Sequence, residues 1–237
     1  MKTPSSRVTS GVSVRVGQPL QLIENHIVMK LNVDLYDSVG VVLARMQPIH
    51  NGHLALIEKA CRENEVVYVF VGSADKFNKR NPLPITLRMQ LIQEAIKPLQ
   101  GKYKYNYIDE EGYHIENDVE INVVPLDDLT DESDNSHDWG FYLYSKIVSE
   151  TKSPNFTIYY SDGFEIITTW FPSFLLRNNV SLSLLARGTT VDGISATAVR
   201  KMIMEENVEE LKKYVPECVY ENANIIKRHI DLAELIR

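Results

Sequence analysis

The amino-acid sequence predicts an α/β protein in which a parallel sheet is flanked by helices. Five short apolar, β-branched runs recur along the 237-residue chain, and amphipathic helical patterns lie between them. The runs are continuously apolar rather than alternating, which is typical of parallel strands that helices cover on both faces. Crossover connections between such strands are right-handed, so the order of elements indicates a layered sheet.

The predicted strands follow directly from the apolar runs. They are Val39 to Ala44, Val66 to Val71, Ile121 to Val124, Phe156 to Tyr160 and Leu182 to Ala186. Helical patterns separate them along most of the chain, which is the alternation expected of parallel strands joined by helices.

The first helix is predicted to begin at Asn51. Leu54, Ile57 and Cys61 share one helical face from that point onward, while charged residues occupy the opposite side. Further helices are predicted at Thr86 to Ile96, around Trp139 to Ser149, at Ser195 to Glu206 and in two pieces after Asn207 that Pro216 separates.

Several stretches have no single predicted structure. Residues 1–37 form a short N-terminal extension, and the periodicity within it fits a helix or a β-hairpin equally. The polar and aromatic stretch 102–118 suits a hairpin-like excursion or a surface loop. The acidic run DDLTDESDNSHD, which begins at Asp127, is interpreted as a solvated loop in preference to a metal site.

Composition and charge argue against several classes of function. The net charge of −7 and the pI near 5.4 disfavour a broad surface for nucleic acid, because such a surface needs clustered positive charge. No run approaches the roughly 18 apolar residues that cross a bilayer, and the first residues lack the apolar core of a secretory signal. Cys61 and Cys218 are far apart in sequence, which fits a reducing compartment. We therefore expect a cytoplasmic protein that binds neither nucleic acid nor membrane.

Two histidines stand where the first strand gives way to the first helix, in the stretch PIHNGH. Ligands of an open parallel sheet bind beyond the carboxyl ends of its strands, where helix N-termini present unsatisfied N–H groups. His50 and His53 supply two donors that can become charged, and Gly52 allows the backbone to approach a ligand closely. One histidine alone would more often be a capping or core residue, but the pair favours a polyphosphate site. The residues shortly before the histidine pair include two polar residues, Arg45 and Gln47, and a proline, Pro48.

A second candidate element lies late in the chain, in DGISATAVRKMI. Ser195 suits the N-cap of a helix, Thr197 adds a hydroxyl in the first turn, and Arg200 lies near the same face. Alone, this pattern is only a well-capped helix. Together with the histidines it indicates an anion held by hydroxyls, amides and a guanidinium.

The sequence lacks Gly-Lys-Ser/Thr loops and Gly-x-Gly-x-x-Gly after a strand, which argues against kinase-like and dehydrogenase functions.

Together these elements resemble the two signatures of the nucleotidyltransferase superfamily, His/Thr-x-Gly-His and Ile-Ser-x-Thr-x-x-Arg. Here they stand as HNGH at 50–53 and ISATAVR at 194–200. With ARMQPIHNGH, VGSADKFNKRNPLPITLRMQLI and the Trp139 region, the chain is similar to archaeal and bacterial nicotinamide mononucleotide adenylyltransferases over about residues 39–220. The resemblance implies a Rossmann-like nucleotidyltransferase fold across 38–237. Ala196 stands where glycine is usual, and no Nudix box follows, so hydrolase activity is not expected.

The resemblance implies that ATP and nicotinamide mononucleotide (NMN) give NAD and pyrophosphate, by in-line attack of the NMN phosphate on the α-phosphorus of ATP. It assigns catalysis to His50, His53 and Arg200. It assigns ATP binding to Arg45, Gln47, His50, Gly52, His53, Ser195, Thr197 and Arg200. It assigns NMN or NAD binding to Gly72, Ser73, Arg88, Asp138 and Trp139. Mg²⁺ would arrive with ATP, and the sequence identifies no protein ligand for the ion.

Alternatives stay open on several of these points. Gly72 equally suits a simple turn at a strand end, and Trp139 could be a core residue, which is the preferred interpretation of Trp170. The acceptor could instead be flavin mononucleotide, phosphopantetheine or an alcohol phosphate, because the signatures are shared. A non-catalytic nucleotide sensor is the alternative from another class, although the histidines and Arg200 suit transition-state charge better than affinity alone. The sequence also leaves a homo-oligomer open.

Overall fold

The computed structural model describes residues 38–109, 111–129, 136–186 and 193–236. The helix or hairpin considered for residues 1–37 lies outside them. The strands among the described residues are β1 (Val39–Ala44), β2 (Val66–Val71), β3 (Lys104–Ile108), β4 (His114–Asp118), β5 (Glu120–Pro125), β6 (Phe156–Ser161) and β7 (Val180–Leu185). The helices there are α1 (Asn51–Glu63), α2 (Ile85–Ile96), α3 (His137–Thr151), α4 (Ser173–Asn178), α5 (Ala196–Met204), α6 (Val208–Leu211), α7 (Glu217–Glu221) and α8 (Ala223–Glu234).

Five of the strands form one parallel sheet in the order β5-β2-β1-β6-β7, which confirms the predicted α/β fold class. The chain runs outward from β1 to β2 and β5, and then returns to β6 and β7 on the other side of β1. A reversal of this kind opens a crevice at the carboxyl ends of the strands. The crevice lies where β1 leads into α1.

Helices cover both faces of this sheet, as the continuously apolar strands required. Val42 of β1 packs on one side in a cluster with residues of α1, α2, α5 and α8. Val41 packs on the other side with residues of α3 and α4. Successive strand side chains point to opposite faces, so one apolar strand serves two cores.

Close packing of α3 requires a glycine. A Cβ atom at Gly140 would lie 2.0 Å from the carbonyl oxygen of Trp170. Trp170 caps the C-terminal end of a 3₁₀ segment, Glu165–Thr169, which follows β6. Neither this segment nor α4 was predicted from the sequence.

The C-terminal region differs from its prediction in one respect. Helix α7 begins directly after Pro216, as expected, but three short helices follow Asn207 where two were predicted. The extra break lies at Asn222, the residue between α7 and α8. One asparagine among helix-forming residues carries too weak a signal to predict that break.

β3 and β4 pair antiparallel and form a separate two-stranded sheet, with Tyr105 opposite Asn117. Of the hairpin-like excursion and the surface loop considered for 102–118, the structure therefore has the hairpin. Cys61 and Cys218 are both free thiols. Among the residues described, no helix has the length and apolar character needed to span a bilayer.

Candidate active site

A cavity of about 730 Å³ opens at the carboxyl end of the parallel sheet. Ala44 ends β1, Gly72 follows β2 and Ser161 ends β6, and all three line it. The first turns of α1 and α5 complete the wall. The cavity therefore lies where the reversal of strand order opens the sheet.

Both sequence signatures reach this one cavity, although they are more than 140 residues apart. The predicted site residues that line it are Arg45, Gln47, His50, Gly52, His53, Gly72, Ser73, Trp139, Ser195, Thr197 and Arg200. Arg88 and Asp138, which were also predicted, are not among its lining residues.

The two histidines form a stacked pair at the start of α1. His50 is the N-cap residue, and the ring centroids of His50 and His53 are 3.7 Å apart with an interplanar angle of 26°. The Nδ1 atom of His53 accepts a hydrogen bond from the backbone N–H of His50 at 3.3 Å. A Cβ atom at Gly52 would lie 3.1 Å from the His50 ring, so glycine leaves room for that imidazole.

His53 is held in its neutral form when the cavity contains no anion. Burial lowers its pKa well below 6.5, and the neighbouring His50 lowers it further. Because Nδ1 accepts the hydrogen bond, the proton of the neutral ring belongs on Nε2. A phosphate entering the cavity would oppose this lowering of the pKa, since a nearby negative charge favours the charged imidazolium.

The N-terminus of α5 brings hydroxyl groups and a guanidinium to the same cavity. The Ser195 hydroxyl accepts from the backbone N–H of Ala198 at 3.2 Å, as predicted for an N-cap. Arg200 donates to the carbonyl oxygen of Gln47 at 2.8 Å and to the Thr197 hydroxyl at 3.3 Å. These bonds fix the guanidinium against the loop that follows β1.

Positive charge accumulates around this loop. Burial lowers the pKa of Arg200, and the charge of Arg45 lowers it further. The same two causes lower the pKa of Arg88 to about 10, against an opposing effect of Asp128. Arg45 and Arg200 both line the cavity, so their charges can act together on an anion there.

The side chain of Gln47 holds the loop that follows β1 in place through hydrogen bonds. Its side-chain oxygen accepts from the backbone N–H of Leu83 at 2.8 Å, and its amide nitrogen donates to the Leu83 carbonyl at 3.3 Å. The residue is 2% exposed. Gln47 lines the cavity, but these two bonds tie its side chain to Leu83, and its expected contact with ATP stays a prediction.

Arg88 occupies a different place from the one expected. It is fully buried in α2, and its guanidinium donates to backbone carbonyl oxygens of the loops after β1 and β2. The expectation that it contacts NMN or the reacting phosphates is therefore not supported. The resemblance implied that Arg88 lies near the site, but not that its side chain would face inward.

Asp138 also fails to reach the cavity. It is exposed in the first turn of α3, where a carboxylate suits the helix dipole. The direct NMN contact expected of it is not supported either.

Trp139 is both a core residue and part of the cavity wall. It is 8% exposed and belongs to the apolar cluster on the α3 side, yet it also lines the cavity. Its ring lies 5.5 Å from Tyr142 and 5.9 Å from Trp170, centroid to centroid. Trp170 is similarly both core and cavity wall. Within the described residues, the indole Nε1 of Trp139 is buried and has no hydrogen-bond acceptor.

Sequence reasoning missed several lining residues. They include Arg80, Asp128, Tyr160, Ser161 and Phe164. Tyr160 and Ser161 end β6, so the rule that ligands bind at carboxyl ends of parallel strands could have identified them. Asp128 belongs to the acidic run and accepts from the Ser73 hydroxyl at 3.1 Å, which no sequence pattern indicated.

No metal centre is evident in the part of the chain that the structure describes. Nowhere in that part do three or more histidine, cysteine, aspartate or glutamate side chains gather closely enough to hold an ion.

Comparison with known proteins finds relatives that are named as adenylyltransferases and a solved structure of similar fold. A nicotinamide-nucleotide adenylyltransferase from Halorubrum lacusprofundi is 28% identical over 125 residues, which are 52% of this chain and 55% of that protein. The match thus spans about half the length of this relative. The enzyme of the same name from Thermococcus kodakarensis is 25% identical over 190 residues, covering 79% of this chain and 83% of that protein.

A solved structure has a similar fold. The bifunctional NMN adenylyltransferase/ADP ribose pyrophosphatase from Francisella tularensis, complexed with AMP and a manganese ion, superposes with a TM-score of 0.56. The two sequences are 18% identical, and the superposition covers 83% of this chain and 52% of the other. The model of the cytidylyltransferase-like family matches residues 41–202, which contain both signatures and the strands that carry the cavity. This chain belongs to the cytidylyltransferase-like family.

Proposed function

We propose that this chain is a nicotinamide-nucleotide adenylyltransferase, which converts ATP and NMN into NAD and pyrophosphate. The observation that carries the proposal is the single cavity lined by both HNGH and ISATAVR. Two relatives of this chain bear this name. We take residues 38–237 as the catalytic domain and the cytoplasm as its location.

The reaction requires positioning and charge stabilisation more than a protein nucleophile. An oxygen of the NMN phosphate attacks the α-phosphorus of ATP and forms the new phosphoanhydride bond. The bond from the α-phosphorus to the bridging β-phosphate oxygen breaks, and pyrophosphate leaves with its electron pair. Because the attacking phosphate is already an anion, no side chain has to remove a proton from it.

His50, His53 and Arg200 are the groups we assign to the charge that develops on the ATP phosphates. His53 Nε2–H is available as a donor while Nδ1 is engaged by the His50 N–H. Arg200, braced by Gln47 and Thr197, supplies a permanent charge beside them. Donors fixed before the reaction stabilise the transition state without reorganisation.

The divalent cation is proposed as part of the substrate. Mg²⁺ bound to the phosphates of ATP would enter with the nucleotide and neutralise charge on the departing pyrophosphate. Asp128 is the one carboxylate among the described residues that line the cavity, which suits an ion held mainly by phosphate oxygens. The Francisella structure with AMP and a manganese ion supports a divalent cation on this fold.

An acceptor panel tests the assignment. Purified protein with ATP and Mg²⁺ is offered NMN, flavin mononucleotide, phosphopantetheine or an alcohol phosphate, and pyrophosphate release is measured. We expect release with NMN and formation of NAD. Release with another acceptor but not with NMN would replace the proposal by that alternative, and nucleotide binding without release would favour a sensor.

Replacing His53 by alanine should lower turnover by about 10²-fold or more, because one preorganised donor to a developing charge is lost. His114→Ala is the matched control, since His114 lies exposed in β4 and does not line the cavity. Circular dichroism of both variants checks the fold. Near-normal turnover of a folded His53→Ala variant would remove His53 from the reaction.

A further inference from the structure

Asn51 ties the first turn of α1 to a distant part of the chain. Its backbone N–H donates to the carbonyl oxygen of Tyr214 at 2.8 Å, and its side-chain Nδ2 donates to the carbonyl oxygen of Lys213 at 3.2 Å. Asn51 stands between His50 and Gly52, which both line the cavity, but it is not itself a lining residue. It therefore holds the cavity wall from behind.

The two acceptors lie just beyond the C-terminal end of α6. That helix ends at Leu211, and the N–H of Tyr214 still donates back to the Leu211 carbonyl at 3.0 Å. Carbonyl groups at the end of a helix lack a partner within the helix, as do the N–H groups of a first turn. Asn51 joins two such ends, so each satisfies groups that the other leaves open.

The apolar core holds this end of α6 in place. Leu211 is 1% exposed and Val215 is 4% exposed, so buried side chains flank the two acceptor residues on either side. Both belong to the cluster that also contains residues of α1, α2, α5 and α8. Because close-packed interiors leave little room for movement, the two carbonyl groups are a firm anchor for α1.

The turn that Asn51 anchors carries both histidines. The N–H groups of His53 and Leu54 donate to the His50 carbonyl at 2.9 and 3.2 Å, and the His50 N–H donates to Nδ1 of His53. These bonds close the turn on itself, so its backbone and the two imidazoles move together. Residues two apart in an α-helix are about 200° apart around its axis, so Asn51 is directed away from the side on which His53 lies.

We propose that Asn51 is a positioning residue for adenylyl transfer, which fixes the first turn of α1 to the end of α6 and so holds His50 and His53 in place for the ATP phosphates. This rests on the proposed function. Asn51 itself touches no reacting group and acts through the histidines. Because a displacement of about 1 Å can cost about 10²-fold in rate, a looser turn lowers turnover.

Histidine NMR tests the positioning without requiring turnover. In wild-type protein labelled with ¹⁵N at histidine, His53 should show one neutral tautomer, Nε2–H, because its Nδ1 accepts the His50 N–H. Asn51→Ala should convert this into a mixture of both tautomers, while His114, exposed in β4, stays unchanged. If the alanine variant does not fold, Asn51→Asp keeps the shape of the side chain and removes the amide donor. A single Nε2–H tautomer in the folded variant would overturn the proposal.

Steady-state kinetics test the consequence for the reaction. Asn51→Ala should lower kcat for NAD formation about tenfold, while the KM for NMN changes less than about twofold. Alanine favours a helix more than asparagine does, so a weaker α1 cannot explain the loss. Asn222→Ala is the matched control, because the Asn222 amide also donates to a backbone carbonyl, that of Cys218 at 2.7 Å, and does not line the cavity. Equal loss of kcat in both folded variants would reduce Asn51 to a structural residue.

The two proposals fail in different ways. If the wild-type protein forms NAD but Asn51→Ala keeps its kcat and a single His53 tautomer, the positioning role is wrong and the function stands. If the variant shows mixed tautomers while the wild-type protein forms no NAD, Asn51 holds the histidines and the proposed reaction is wrong.

Discussion

Replacing Trp139 by alanine tests whether one side chain serves the apolar core and the acceptor together. The indole is 8% exposed, packs against Tyr142 and Trp170, and also lines the cavity. The variant should therefore show two separate losses, one in stability and one in binding.

The two losses have different sizes. Removing a buried tryptophan side chain costs about 3–5 kcal/mol of unfolding free energy, through lost burial and the cavity left behind. A lost aromatic stack on the nicotinamide ring costs about 1 kcal/mol, which corresponds to roughly a fivefold higher KM for NMN. The KM for ATP should change little, because Trp139 is on α3, whereas the residues assigned to ATP lie in the loop after β1 and at the starts of α1 and α5.

Urea unfolding and steady-state kinetics measure both quantities on the same preparation. Phe156→Ala is the matched control, since Phe156 is 4% exposed in the same apolar cluster and does not line the cavity. It should lose stability while keeping its KM for NMN. If Trp139→Ala does not fold, Trp139→Leu retains much of the apolar volume and still removes the stack. A KM for NMN that matches the Phe156→Ala value would refute the stacking role.

Three further variants test other parts of the site. Arg200→Ala should raise the KM for ATP at least about tenfold in steady-state assays, because a charged hydrogen-bond donor to the polyphosphate is lost. Burial and His50 lower the pKa of His53 below 6.5, so the folded state resists protonation there. Its unfolding free energy should fall as the pH drops from 6.5 towards that lowered pKa, and His53→Gln should flatten this fall in urea titrations. Gly140→Ala should destabilise the protein by more than about 2 kcal/mol, because its Cβ would overlap the Trp170 carbonyl.

Each of these outcomes can be contradicted. An unchanged KM for ATP would exclude Arg200 from the nucleotide site. Parallel pH dependences of the wild-type and His53→Gln proteins would show that His53 is not the group that titrates. Gly72→Ala is the control for Gly140→Ala, since its Cβ would make ordinary contacts at 3.7 Å or more, and equal effects would contradict the packing argument.

The parallel sheet was predictable because its signal is local. β1 and β2 begin and end at the predicted residues, since both are unbroken apolar runs. β7 begins two residues earlier than predicted, because serines at 181 and 183 interrupt its apolar pattern. α4 and the 3₁₀ segment before it are too short to show a period, so they escaped prediction.

The site was predictable to the level of residue types and spacing. Both signatures lie at the end of a strand or the start of a helix, and these positions can be recognised from the local sequence. In a parallel sheet such positions meet at one edge, so both signatures reach the cavity. The direction of a buried polar side chain is not local. Arg88 and Gln47 bond to backbone groups contributed by other segments, and their partners became identifiable only when the loops were placed together.

Isotope labelling of the acceptor tests most directly whether this cavity transfers the adenylyl group to NMN. NMN carrying ¹⁸O in its phosphate is incubated with ATP, Mg²⁺ and the protein, and the products are resolved by mass spectrometry. Attack by the NMN phosphate on the α-phosphorus predicts NAD that retains the label and pyrophosphate that contains none. Label in pyrophosphate, or consumption of ATP without labelled NAD, would contradict the account.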